Sequence, residues 1–124
     1  MSLSRLIAIL ISSFGSIGVV AAHHSFAALF DPSARVSVEG VVTEFQFIAP
    51  HAYIRIDVAD ASGLAVKWQL ETTSPGQLIR RGLTPETLKL GDRVSAVGNP
   101  TRDGRPLMRL LTITLPNGEE KQIQ

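Results

Sequence analysis

The 124-residue sequence predicts a mainly β domain: a small closed barrel of five strands with one short helix between the third and fourth. Three observations predict it. Five stretches rich in β-branched or alternating apolar residues are separated by turns containing Gly, Pro and Asp. A single helix-start signature falls in the middle of the chain, after the third stretch. Cysteine is absent, so packing and hydrogen bonding alone must hold the domain, and closing the sheet removes edges that would otherwise stay open.

The first strand covers residues 36–47, where Val36, Val38, Val41, Phe45 and Phe47 are interrupted by Ser37, Glu39, Thr43 and Glu44. Gly40 marks a bulge or bend in it, because glycine costs least where the backbone leaves the regular pleat. The second strand, 52–58, sets Tyr53, Arg55 and Asp57 on one face and Ile54, Ile56 and Val58 on the other. Asp60-Ala61-Ser62-Gly63 supplies a turn, and in the third strand, 65–71, Val66, Trp68 and Leu70 alternate with Lys67, Gln69 and Glu71. Ser74 then caps a helix that opens with Pro75, with Gln77 at the capping-box position. Leu78 and Ile79 are its expected buried face, Arg80 and Arg81 suit its negative end, and Gly82 stops it in a left-handed conformation. Thr84-Pro85-Glu86 begins a short turn that ends at Gly91. Strand four is 92–98, a polar loop follows over 99–106, strand five is 107–115, and Pro116-Asn117-Gly118 turns the chain into a frayed tail. Phe45, Phe47 and Trp68 are expected in the core, since few other large residues are available to fill a barrel.

Three strands, a helix and two strands in this order is the arrangement of the OB-fold, a five-stranded Greek-key barrel. An SH3-like barrel or an open β-sandwich competes with it. The lone helix after strand three favours the OB-like form.

Ahead of this domain, Arg5 precedes an uncharged run over residues 6–22 that ends with small Val20 and Ala22 at the −3 and −1 places of a cleavage site. The run reads as a secretory signal peptide and implies a periplasmic destination. A retained anchor is the alternative, but the run offers about 17 uncharged residues where roughly 20 are usual, and serines and glycines interrupt it. Cleavage leaves no stable membrane span. The expected division is therefore signal peptide 1–22, N-terminal segment 23–35 and OB-like barrel 36–124.

Arg5 is one of 12 basic residues, and without it the remainder balances the 11 acidic ones. A neutral chain lacks the electrostatic footprint of a nucleic-acid binder, and Arg80-Arg81 reads as a solvated helix end. Without cysteine there are no thiolate metal sites, no redox CxxC pair and no cysteine nucleophile. Its serines lack a Gly-x-Ser-x-Gly context and no carboxylate pair can be assigned to one pocket. No catalytic residue is assigned, and the chain is read as a non-enzyme.

The three histidines carry the sharpest chemistry. Cleavage after Ala22 would make His23 the first mature residue, so that its free amine and ring nitrogen can chelate one metal ion. His24, or the distant His51 after Pro50, would then complete a T-shaped or square set of nitrogens. Such a set suits Cu(II), Zn(II) and Ni(II), and copper stands highest for a given nitrogen site. Phe26, Phe30 and Pro32 are expected to pin the first ten mature residues to the barrel. Asp31 offers an oxygen ligand, although a turn role before Pro32 is the stronger reading. The competing reading is a metal-independent OB-type adaptor for a peptide, an oligosaccharide or a periplasmic protein partner, using Arg55, Lys67, Gln69 and Glu71 on a polar sheet face.

His23-His24-Ser25-Phe26-Ala27, Phe30-Asp31, Pro50-His51, Trp68 ahead of Ser74-Pro75, Arg80-Arg81-Gly82, Leu88-Lys89-Leu90-Gly91-Asp92 and Asp103-Gly104 together resemble an exported bacterial family, domain of unknown function 6152. The resemblance covers essentially the whole mature chain. It implies that the leading His-His-Ser-Phe and the Pro-His element belong to the family pattern, and it implies no activity. Where the family form of the second element is Trp-x-Asn-Pro-His, this chain has Phe47-Ile48-Ala49-Pro50-His51, which keeps Pro50 and His51 without the indole or the amide.

Overall fold

The computed structural model describes residues 26–124, except for the side chain of Phe26. The expected signal peptide, His23 and His24 lie outside the described residues. Elements follow in the order α1 (Phe26–Leu29), β1 (Val36–Gln46), β2 (Tyr53–Ala59), β3 (Ala65–Glu71), α2 (Pro75–Arg80), β4 (Arg93–Pro100), β5 (Leu107–Thr114) and β6 (Glu120–Gln122).

β1 serves two neighbours in turn. Its first half pairs antiparallel with β4, from Val36 against Gly98 to Val41 against Arg93, and its second half with β2, from Val41 against Asp57 to Gln46 against Tyr53. β2 pairs with β3 along its whole length, and β5 pairs antiparallel with β4. The parallel contact of Gln69–Glu71 with Leu107–Arg109 shuts the sheet in the order 1-2-3-5-4-1. This is a closed OB-like Greek-key barrel with its helix between β3 and β4, as expected; the β3–β5 contact excludes the open sandwich.

Gly40 plays a different part from the bulge expected of it. The ladder runs regularly through Gly40 against Val94, and the register slips instead between Val42 and Glu44. Gly40 stands where β1 passes from one partner to the other, and a Cβ there would collide with the Asp57 carbonyl of β2.

Aliphatic side chains fill the interior. Val42, Ile54, Ile56, Leu70, Val94, Ala96, Met108, Leu110 and Ile113 are almost wholly buried. Phe45, Phe47 and Trp68 are only partly buried and pack against the outside of this cluster. The interior of a five-stranded barrel is narrow, so slender Ile, Leu and Met fit where rings do not. Phe45 and Phe47 meet edge to face, with ring centroids 5.6 Å apart.

The local signals of α2 operate as read. Ser74 Oγ accepts from the Gln77 amide at 3.4 Å, and Pro75 opens the helix. Gly82, at φ 79°, ends it: the Gly82 amide reaches the Ile79 carbonyl and the Leu83 amide the Leu78 carbonyl, the paired bonds of a Schellman motif. Leu78 is buried with Leu83 and Leu88, whereas Ile79 is 54% exposed. One residue along a helix rotates the side chain by about 100°, which turns Ile79 away from the face Leu78 buries.

Two segments read as irregular are ordered. β4 continues to Pro100, two residues into the predicted loop. Residues 120–122, read as a frayed tail, form β6 against Thr112–Thr114, and Ile123 is 1% exposed. The cause is an edge left vacant: β3 covers β5 only as far as Arg109, and β6 takes up the rest after the Asn117-Gly118 turn.

Candidate functional site

Residues 27–35 are fastened to the far end of β4. The Asp31 amide donates to the Pro100 carbonyl at 2.9 Å and the Arg102 amide to the Leu29 carbonyl at 3.0 Å, on either side of an isolated bridge between Phe30 and Thr101. Phe30 is 3% exposed. Of the expected pins Phe26, Phe30 and Pro32, Phe30 is buried and Pro32 is exposed, and the side chain of Phe26 lies outside the described residues. Arg102 Nε donates to the Ala27 carbonyl at 2.9 Å, and the buried Asn99 donates through Nδ2 to the Ala34 carbonyl at 3.0 Å. Asn99, Thr101 and Arg102 were not singled out in the sequence, where they fall in the polar 99–106 stretch. The legible signal is an amide residue continuing directly from the apolar run of β4.

Asp31 closes a turn, in line with the stronger of its two readings. Its Oδ1 accepts from the Ser33 hydroxyl at 2.6 Å and the Ser33 amide at 2.9 Å, and Arg102 Nη1 stands 3.9 Å from Oδ2. The Ser33 bonds, hydroxyl first and amide second, hold its carboxyl below the usual range, with a smaller contribution from the Arg102 charge.

His51 lies on the loop between β1 and β2 and is exposed. Its backbone is well anchored, because the neighbouring Ala52 is fully buried and exchanges bonds with the strand end opposite. The Ala52 amide donates to Thr73, while the Thr72 amide and hydroxyl both donate to the Ala52 carbonyl, the hydroxyl at 2.6 Å. Among the described residues no group of three or more His, Asp or Glu side chains is gathered to hold a metal ion.

The polar face read for β2 and β3 is present. Arg55 pairs with Glu44 at 2.6 Å, donates through Nε to Gln69 at 3.1 Å and stacks 4.9 Å above the Tyr53 ring. Gln69 in turn donates to Glu71 at 2.6 Å, and Lys67 pairs with Asp57 at 3.1 Å. The Gln46 amide at 2.7 Å, followed by the Arg55 charge, keeps the Glu44 carboxyl below its usual range. Arg55 and Lys67 are each matched by a carboxylate, and Glu71 accepts from a neutral amide, so these groups together carry one net negative charge.

The sequence matches the model of a family of unknown function, DUF6152, over residues 12–108. The chain belongs to this family. No curated protein matches it. The matched DUF6152 region runs through the N-terminal segment, the His51 loop, α2 and β4 to the start of β5, so it contains both sides of the contact between residues 27–34 and Asn99–Arg102. β6 lies beyond it.

Proposed function

We propose that this member of DUF6152 is exported to the periplasm with residues 1–22 removed, and that the mature terminus beginning at His23 binds one divalent transition-metal ion, Cu(II) by preference. The His23 amine and ring nitrogen supply one chelate, and His24 or His51 a further nitrogen. One observation carries the reading. The chain just after the histidine pair, which as a free terminus would ordinarily fray, is held to the barrel from Ala27 on by a buried phenylalanine and five hydrogen bonds. Fastening residues 27–34 shortens the stretch of chain that must be ordered when the terminus closes on an ion.

The same barrel wall also carries the His51 loop. Pro100, Met108, Leu70 and Ile54 form one continuous row of ladder partners, so three strand spacings, about 14 Å of wall, separate the end of β4 from the beginning of β2. The three residues from His23 to Ser25 span up to about 10 Å when extended. Backbone reach alone falls short of that span, so His24, adjacent in the chain, is the nearer source of the further nitrogen.

N-terminal mass analysis of exported protein should give a chain that starts at His23. Titration with Cu(II) should then show one tight site, and the same protein with its His23 amine acetylated should bind far more weakly. Equal affinity in the two forms eliminates the terminal chelate. In that event the matched polar face around Arg55 and Tyr53 becomes the place to seek a metal-independent partner, by pull-down in the presence of a strong chelator.

A further inference from the structure

We propose that the groove between the second half of β1 and residues 85–90 receives an extended segment of a partner polypeptide, paired backbone to backbone with β1 and bringing an acidic side chain to Lys89. β4 and β1 part company in the middle of β1. Val41 against Arg93 is their last ladder pair, and the Val42 amide to the Asp92 carbonyl and the Gly91 amide to the Val42 carbonyl, both at 2.8 Å, end the contact. From Glu44 to Gln46, β1 has ladder partners on β2 alone, and among the described residues no backbone bond joins residues 43–46 to the 84–91 turn across the gap. Every second residue of a strand turns its N–H and C=O away from its partner, so this edge offers donors and acceptors at the spacing of another extended backbone. Four residues give about 14 Å of such edge.

The gap is a groove of about 530 Å³, lined by Phe45 on the β1 side and by Pro85, Leu88, Lys89 and Leu90 on the other. Phe45 is only partly buried, and Leu90 is 73% exposed, a large apolar side chain that a strand laid in the groove would cover. Charge narrows the occupant further. The Glu44 carboxylate at the rim is taken up by Arg55 and Gln46. Lys89 bonds Asp92 through its backbone amide, while its ammonium has no partner among the described residues, and Glu86 of the same turn does not line the groove. The groove therefore carries one uncompensated positive charge, the complement of a carboxylate. The first half of β1 pairs with β4 alone and leaves a smaller hollow of about 260 Å³ on its other side, but the charges there are already matched, Glu39 by Arg93 at 3.2 Å and Asp57 by Lys67 at 3.1 Å.

This groove is independent of the proposed metal site and is tested on the protein without metal. The probe is a blocked six-residue peptide in which Thr and Val alternate and one central Thr is replaced by Asp, titrated to millimolar concentration while backbone amide shifts are followed by NMR. Shift changes should concentrate in residues 43–46 and 85–90. A peptide with Lys in place of the Asp should bind about fivefold more weakly, and Lys89→Glu in the protein should invert that preference. A peptide with Pro in place of the central Val, which lacks an amide donor and cannot complete the ladder, should bind about tenfold more weakly. Leu90→Ala should weaken the Asp peptide by about tenfold and, because Leu90 is exposed, leave thermal unfolding unchanged. Absence of shifts at millimolar peptide, shifts centred instead on the Tyr53 and Arg55 face, or equal binding of the Pro peptide overturns the proposal. So does self-association of the parent that Leu90→Ala abolishes, which would make a second copy of this chain the occupant.

Discussion

Gly40 of β1 passes the carbonyl group of Asp57 on β2 so closely that no methyl group fits between them. The contact occurs where β1 exchanges β4 for β2 as its partner, so it fixes how sharply the strand curves around the barrel. Gly40→Ala should therefore destabilise the protein by about 1–3 kcal/mol, the usual cost of forcing atoms into filled space. Urea unfolding should show a lower midpoint with an unchanged slope.

Ile123 should matter as much as a central core residue, although it is the penultimate residue of the chain. Ile123→Ala is expected to cost about 2–5 kcal/mol. A truncation after Gly118 should cost more, since it also exposes the β5 edge that β6 covers. Thermal unfolding of the two variants beside the parent checks the order.

Acid should loosen the N-terminal segment before it unfolds the barrel. The Asp31 carboxyl is depressed in the folded state by its Ser33 bonds, so the stability it contributes is complete above the unfolded value of about 3.9 and disappears as pH falls through the lower folded value. Glu44, depressed chiefly by Gln46, behaves in the same sense on the sheet face. The protection of the Ser33 amide relative to its intrinsic exchange rate, followed from pH 6 downward, should fall below about pH 4, and Asp31→Asn should remove that dependence.

Copper affinity should fall steeply in acid, because both nitrogens of the proposed terminal chelate must lose protons. With the amine near pKa 8 and the imidazole near 6.5, affinity should drop by at least about a hundredfold between pH 7 and pH 5. Competition titrations with a chromogenic chelator at each pH measure the slope, and a form whose His23 amine is acetylated should show a shallower one.

Where the sequence was legible, a local rule decided the structure. Ser74, Pro75 and Gly82 delimit α2 through hydrogen bonds and a backbone angle that depend on neighbours only, and the alternation of Tyr53 to Val58 fixes which face of β2 is buried. What escaped depends on distant partners. The tail became a strand because β3 leaves β5 partway, Gly40 is demanded by a residue 17 positions away, and the rings of Phe45, Phe47 and Trp68 are partly excluded by the bore of a barrel that only closure defines. The candidate site divides the same way. Its histidines are visible in composition and spacing, whereas Asn99 and Arg102 acquire a role only when residues 27–34 lie beside them.

The contact between Arg102 and Ala27 joins positions 75 apart in the chain. Ala27 is synthesised early, while the groups that secure it emerge only with the end of β4. Residues 27–31 are therefore fastened late, after the sheet has curved far enough to present Pro100 and Thr101. A chain that has not yet paired β4 with β5 would carry residues 27–31 loose, so the order of this segment reports that the barrel is complete.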